Sequence, residues 1–253
     1  VLADDFGAYQ RNVWRVFRWE NNENREYPDV QSSFTAGRAF WLITQSGVSF
    51  DIDNATSTHS GSPAALTVLP GWNQIANPYA FPVLWDSVAN GKKLTGPYYF
   101  TGTEYRTGVT VLNPWEGYFV KNDSTNPVVI TISPVEASVV SPFRATSSDL
   151  YNIQLMARVR GTEFQDMENF IGFDSHAEDG RDGKDFPEPP PVADRVALSI
   201  VEGKDRFMTD FKPPSPNGGQ WMVDITSSLS SADIDISMKE TGAPPPDFHT
   251  WVF

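Results

Sequence analysis

Cysteine is absent from the chain. That excludes a disulfide framework, a thiolate metal site and a cysteine nucleophile, so the fold has to rest on its packed cores. Histidine is nearly absent too. His59, His176 and His249 are far apart, and none falls in a His-Glu-x-x-His or similar ligand spacing, so no zinc site is expected. The sequence has no Gly-x-Ser-x-Gly elbow, no phosphate-binding loop and no dinucleotide fingerprint, which removes local support for the common nucleophilic and nucleotide-dependent enzymes. A glycosidase-like carboxylate pair leaves no local signature, since its members can be distant along the chain. Basic residues are scarce: 19 Lys and Arg face 32 Asp and Glu, a formal charge of −13 that would repel nucleic acid and anionic lipid. No apolar run approaches the roughly 18 residues of a membrane span. The sequence opens on Val1 without a methionine or a leader pattern, and is read as a processed or excised piece of a longer chain.

What is plentiful is turn chemistry and aromatic surface. Twenty prolines and eighteen glycines punctuate short apolar or alternating runs, and helical periodicity is almost missing. The runs 13–19, 38–44, 48–52, 117–121, 128–132, 151–158, 196–201 and 220–225 read as strands. Only 84–90 and 2–9 suggest short helical turns. An all-β protein is expected, and 253 residues favour two domains.

Residues 1–137 carry an internal duplication. Glu26-Tyr27 recurs as Glu104-Tyr105, and at the same offset of 78 residues Phe40, Trp41 and Leu42 match Tyr118, Phe119 and Val120. Strand alternation predicts Phe40 and Leu42 on one face and Trp41 on the other. Residues 2–6 resemble 84–88, and 48–52 answer 128–132. Each copy is small, so the two are expected to share one core. The second copy also contains Leu66 to Pro82, which the first lacks, leaving a strand edge to be filled by upstream chain or by a strand donated from a neighbouring subunit. Residues 138–253 form the second expected domain. Acids outnumber bases eighteen to nine over 150–253, against fourteen to ten over 1–149. Pro-rich turns there suggest an immunoglobulin-like or jelly-roll β-sandwich of roughly seven strands.

Gly37 to Ile43, Pro70 to Tyr79 and Pro114 to Asn122 resemble modules near the C-terminus of large extracellular bacterial proteins. In those proteins the modules precede a sorting domain of the type IX secretion route. The stretch Ile171 to Asp185, with Pro187 to Pro191 and Arg206 to Asp210, resembles the β-sandwich that commonly follows. The resemblance implies a secreted or cell-surface location and other domains of the same longer protein as partners. Module type says little about activity.

Two candidate sites stand out. Asp174, Glu178, Asp179, Asp182 and Asp185, with turns at Gly180 and Gly183, offer an oxygen-rich loop for calcium, though not at EF-hand spacing. The alternative is a solvated acidic turn that caps backbone amides. Eight tryptophans raise the prospect of polysaccharide stacking, but positions aromatic in both copies also suit a core. Trp115 is the exception, because it follows Pro114 at a turn and its counterpart in the first copy is Gly37. Arg38 and Glu116 share a repeat position with opposite charge, as a pair across the repeat or as two solvated side chains. The sequons at Asn54 and Asn122 would matter only in a eukaryotic secretory host. Three readings follow: a non-catalytic structural or adhesive module, with fibre assembly through sheet edges; a carbohydrate-binding module with a line of exposed aromatics; and an enzyme with converging carboxylates in a cleft.

Overall fold

The computed structural model describes residues 2–30, 34–47, 58–85, 88, 93–138, 151–190, 196–242, 244 and 250. Its elements, among the described residues, are the short helix α1 (Leu2–Phe6) and eighteen strands, so the protein is all-β as expected. None of its helices is long and apolar enough to cross a membrane, among the described residues. The expected strand at 48–52 lies outside the described residues, as do Asn54, His249 and Trp251. Two compact units divide the chain: Val1–Tyr99 with Gly108–Arg144, and Phe100–Thr107 with Ala145–Phe253. The expected border at 137/138 was placed on composition. The contacts put it slightly later, and they assign the segment 100–107 to the second unit, which no compositional shift could signal.

In the first unit, β1 (Trp14–Glu20) lies between β2 (Glu23–Glu26) and β3 (Trp41–Thr44), both antiparallel to it. A second sheet runs β5 (Gly71–Ala76), β10 (Gly117–Asn122) and β7 (Leu94–Phe100), while the short β8 (Tyr105–Arg106) falls in the second unit. Two small ladders complete the first unit: β4 (Ala64–Val68) with β11 (Val128–Ile132), and β6 (Val83–Leu84) with β9 (Val111–Leu112). β1 pairs antiparallel with β3, and β7 with β10. In these ladders Trp41 pairs with Phe17, and Phe119 with Tyr98.

Alternation sorts these residues as the sequence predicts. Phe40 and Leu42 pack with Leu2, Trp14 and Val16, while Tyr118 and Val120 join Leu66, Ile75, Leu112 and Ile130. Trp41 and Phe119 turn to the opposite face and meet with ring centroids 6.2 Å apart; Trp19 and Trp72 each lie 6.1 Å from Phe119. Two clusters joined by an aromatic layer therefore replace the single shared core expected, because the residues between the matched core positions face one another. The outer edge of β3 carries no ladder among the described residues. Nearby, Ala76 N donates to Gly37 O at 3.0 Å and Trp19 N to the Gln74 side chain at 3.0 Å, so β5 lies against the first copy.

The second unit is a seven-stranded sandwich. One sheet has the order β16 (Thr209–Lys212), β13 (Gln165–Phe173), β12 (Tyr151–Val159) and β18 (Ile234–Thr241); the other has β15 (Asp205–Phe207), β14 (Val196–Glu202) and β17 (Met222–Ser227). Ile153, Leu155, Ala157 and Ile171 from the first sheet bury against Val196, Leu198, Ile200 and Phe207 from the second. β13 and β16 are parallel; the other pairings are antiparallel. Between Leu155 and Ala157 of β12, the paired residue on β13 moves from Asn169 to Asp166, so β13 carries an extra residue. This bulge turns two polar side chains inward. Asp166 accepts Asn169 Nδ2 at 2.7 Å and Leu198 N at 2.8 Å, and the second bond ties one sheet to the other.

Candidate functional site: an exposed tryptophan and an acidic loop

Trp115 occupies the turn that leads into β10. Its side chain is 88% exposed, and its φ of 66° lies in the left-handed region, unusual for a bulky residue. The turn is held from beneath. Glu116 accepts the Tyr118 hydroxyl at 2.5 Å and Asn113 Nδ2 at 3.1 Å, and Asn113 N donates to Tyr118 Oη at 2.8 Å. Burial, followed by the bond to Glu116, raises the Tyr118 phenol well above its ordinary range, so it stays a neutral donor. An indole is thus presented to solvent on a fixed base, and the local strain is carried by the hydrogen bonds under it.

The other described tryptophans point elsewhere. Trp14 and Trp85 are buried, and Trp19, Trp41, Trp72 and Trp221 are half-buried against other rings or the core. Tyr27 and Phe34 are exposed at 42% and 48%, and Phe34 packs on Phe40. The described tryptophans do not form a line of exposed rings.

The acidic loop follows β13 directly. Asp174, almost fully buried, pairs with the Lys184 ammonium and accepts His176 N at 2.8 Å. Asp182 accepts Glu178 N at 2.8 Å and Lys184 N at 2.6 Å. Asp185 accepts Asp182 N at 2.7 Å and Phe211 N at 3.2 Å, and burial pushes its carboxyl up to about 6 despite those two amides. Glu178 and Asp179 are exposed. The five carboxylates expected as a calcium cage are not brought together: no group of three or more acids or histidines is placed to hold a metal among the described residues. The geometry is that of the amide-capping turn, because each buried carboxylate is already used by backbone N–H groups or by Lys184.

Two further expectations concern single side chains. Arg38 donates to Thr67 O at 2.5 Å, 29 residues away, and Glu116 accepts from Tyr118. Asn122 is 2% exposed and donates to Val68 O and Asn126 O, which makes it a structural amide.

One acidic grouping had no signal in the sequence. Glu104 is buried and accepts Arg106 at 2.7 Å, and Arg106 also reaches Glu168 at 3.1 Å. Burial raises the Glu168 carboxyl, and Arg106 opposes that shift. Glu104 and Asp166 line a shallow cavity with Tyr105 and Met208. These acids come from β13 and from residues 100–107, more than 55 positions apart in sequence, so spacing could not have paired them.

The folded chain is all-β, with an exposed turn at Trp115. Compared with known proteins, it matches no family model, no curated protein and no solved structure.

Proposed function

We propose that this chain is a structural or adhesive module of a secreted or cell-surface bacterial protein, acting through surface contact and not through catalysis. The observation that carries the reading is Trp115: one indole held out on a locked turn while the other described tryptophans pack inward. A single rigid aromatic anchor of this kind suits a contact point between macromolecules, where large buried rings supply most of the binding energy. A polysaccharide platform is built from several coplanar exposed rings. The duplication of residues 1–137 is part of the same proposal, supported by the antiparallel pairing of β1 with β3 and of β7 with β10 and by the pairs of Trp41 and Phe119. The resemblance to modules of large extracellular proteins supports the location.

Binding of fluorescently labelled chain to bacterial cell envelopes tests it. Saturable binding, weakened about tenfold or more in Trp115→Ala with an unchanged melting temperature, is the expected result. Binding indifferent to Trp115 would overturn the assignment of the contact point. Retardation in polysaccharide gels that disappears in Trp115→Ala would instead establish the carbohydrate-binding reading.

A further inference from the structure

The second unit has a sheet edge that contrasts with the edges at β2, β15 and β16, among the described residues. β2 is short and carries Glu23, Arg25 and Glu26; β15 has three residues; β16 has four and runs into Pro213 and Pro214. Such brevity, charge and proline are the devices that keep sheet edges from pairing with other chains. β18 has neither the brevity nor the proline, although it carries Asp235, Lys239 and Glu240. It runs regularly from Ile234 to Thr241 without proline, glycine or bulge, pairs with β12 on one side, and has no partner strand on the other among the described residues.

Its apolar side chains are left in solvent. Ile236 and Met238 are opposite Ala157 and Leu155 of β12, so they share the face that forms the sandwich core. Ala157 and Leu155 are buried, yet Ile236 is 59% and Met238 46% exposed. Val223, on the neighbouring edge strand of the other sheet, is also exposed although its partner Ile200 is fully buried. The core therefore runs out into solvent along this side.

We propose that β18 pairs with β18 of a second copy of this chain, antiparallel and centred on Ser237. The argument is register. A twofold-related pair that keeps the apolar face continuous must set even-numbered residues opposite even-numbered ones. Centring on Ser237 places Ile236 opposite the partner's Met238 twice on the core side. On the other side it places Asp235 opposite the partner's Lys239 twice. Centring on Met238 would oppose Ile236 to Glu240 and leave Asp235 without a cation. Centring on Ile236 would match Ile234 with Met238 but shorten the ladder, because its ends run past Ile234 into the loop. Asp235 and Lys239, the two charges on the outer face, are complementary in the Ser237 register, so they favour self-pairing; Glu240 falls opposite Ile234 near the ends of the ladder. Asp235 now pairs with Arg160 at the surface, with both side chains more than half exposed, and that pair does not prevent a second cation from approaching. The contact is isologous and closes at two copies, so by itself it gives a dimer and not a fibre. It stands independently of the function proposed for Trp115.

The absence of cysteine makes the register directly testable. Opposed residues of an antiparallel pair have Cα atoms about 4.5–5.5 Å apart, within disulfide reach, whereas the two copies of residue 239 would be separated by roughly 13 Å along the ladder. Under mild oxidation, full-length Ser237→Cys should form a covalent dimer and Lys239→Cys should not. Sedimentation of the unmodified chain from about 1 µM to about 1 mM should show a monomer–dimer equilibrium. Asp235→Lys should weaken it roughly tenfold or more, and Asp235→Lys with Lys239→Asp should restore it. A chain that stays monomeric throughout, equal cross-linking at both positions, or a dimer unaffected by the single charge reversal would overturn the proposal.

Discussion

Asp166 is the residue whose removal should most clearly separate the two sheets of the second unit. Its carboxylate is 8% exposed and accepts two buried donors, Asn169 Nδ2 at 2.7 Å and Leu198 N at 2.8 Å. A hydrogen bond to a charged group is worth about 1.5–3 kcal/mol, and a buried donor left without an acceptor costs about 1–3 kcal/mol. Asp166→Ala removes the acceptor of both bonds and strands both donors. Against that stands the relief of no longer burying a carboxylate, so the net loss should be about 3 kcal/mol. Asp166→Asn keeps the shape and one acceptor. Its new amide donor faces Asn169, whose Oδ1 is buried without a hydrogen-bond partner, and a flip of the Asn169 amide would pair the two. The loss should then be only about 1 kcal/mol. A global melt mixes two units and is the wrong assay. Native-state hydrogen exchange at the amides of β12 and β14 reads the second unit alone, with the Leu198 amide as a direct reporter. Equal losses for the two variants, or an unchanged Leu198 protection in Asp166→Ala, would refute the claim that this carboxylate joins the sheets.

Two other predictions concern the same unit. The Asp185 carboxyl, raised by burial to about 6 from an unfolded value near 3.9, holds its proton in the folded state across the interval between them. Its contribution is fully present below the unfolded value and is lost as pH rises through about 6, so the opening free energy of this unit, read by native-state hydrogen exchange, should fall from pH 4 to pH 7. The amount is roughly 1–2 kcal/mol after allowance for solvent access, and the slope should flatten in Asp185→Asn; an identical slope in that variant would show that Asp185 is not its source. Gly172 faces Asn152 across the ladder, and a Cβ there would come within 2.2 Å of Tyr151 O and 2.9 Å of Asn152 Cα. Gly172→Ala should therefore lower the unit's stability by about 2 kcal/mol or more, while Gly183→Ala, with nothing within 4 Å, should be nearly neutral in the same denaturation series.

The sequence by itself determined what depends on period and on turn chemistry. Alternation divided Phe40 and Leu42 from Trp41, and Tyr118 and Val120 from Phe119, because a strand can only send neighbours to opposite faces. Proline and glycine spacing excluded long helices, and Pro114 before Trp115 marked a turn whose aromatic had no packed counterpart. β18 was not among the expected strands although Ile234, Ile236 and Met238 alternate along it, and its edge position has no sequence signal, since alternation does not reveal which strands lack a neighbour. β13 escaped the sequence reading because Asp166, Glu168 and Asn169 interrupt its apolar pattern. Only the bulge and the distant amide of Leu198 explain why an acid belongs inside. The acidic loop shows the same limit. Five carboxylates in a short span suit a cation cage or a set of amide caps, and no spacing in the sequence announces the contacts they make with Lys184 and with Phe211, the latter 26 residues beyond Asp185. A charge's role depends on what the fold brings within about 3 Å of it, and that is set by contacts remote in sequence.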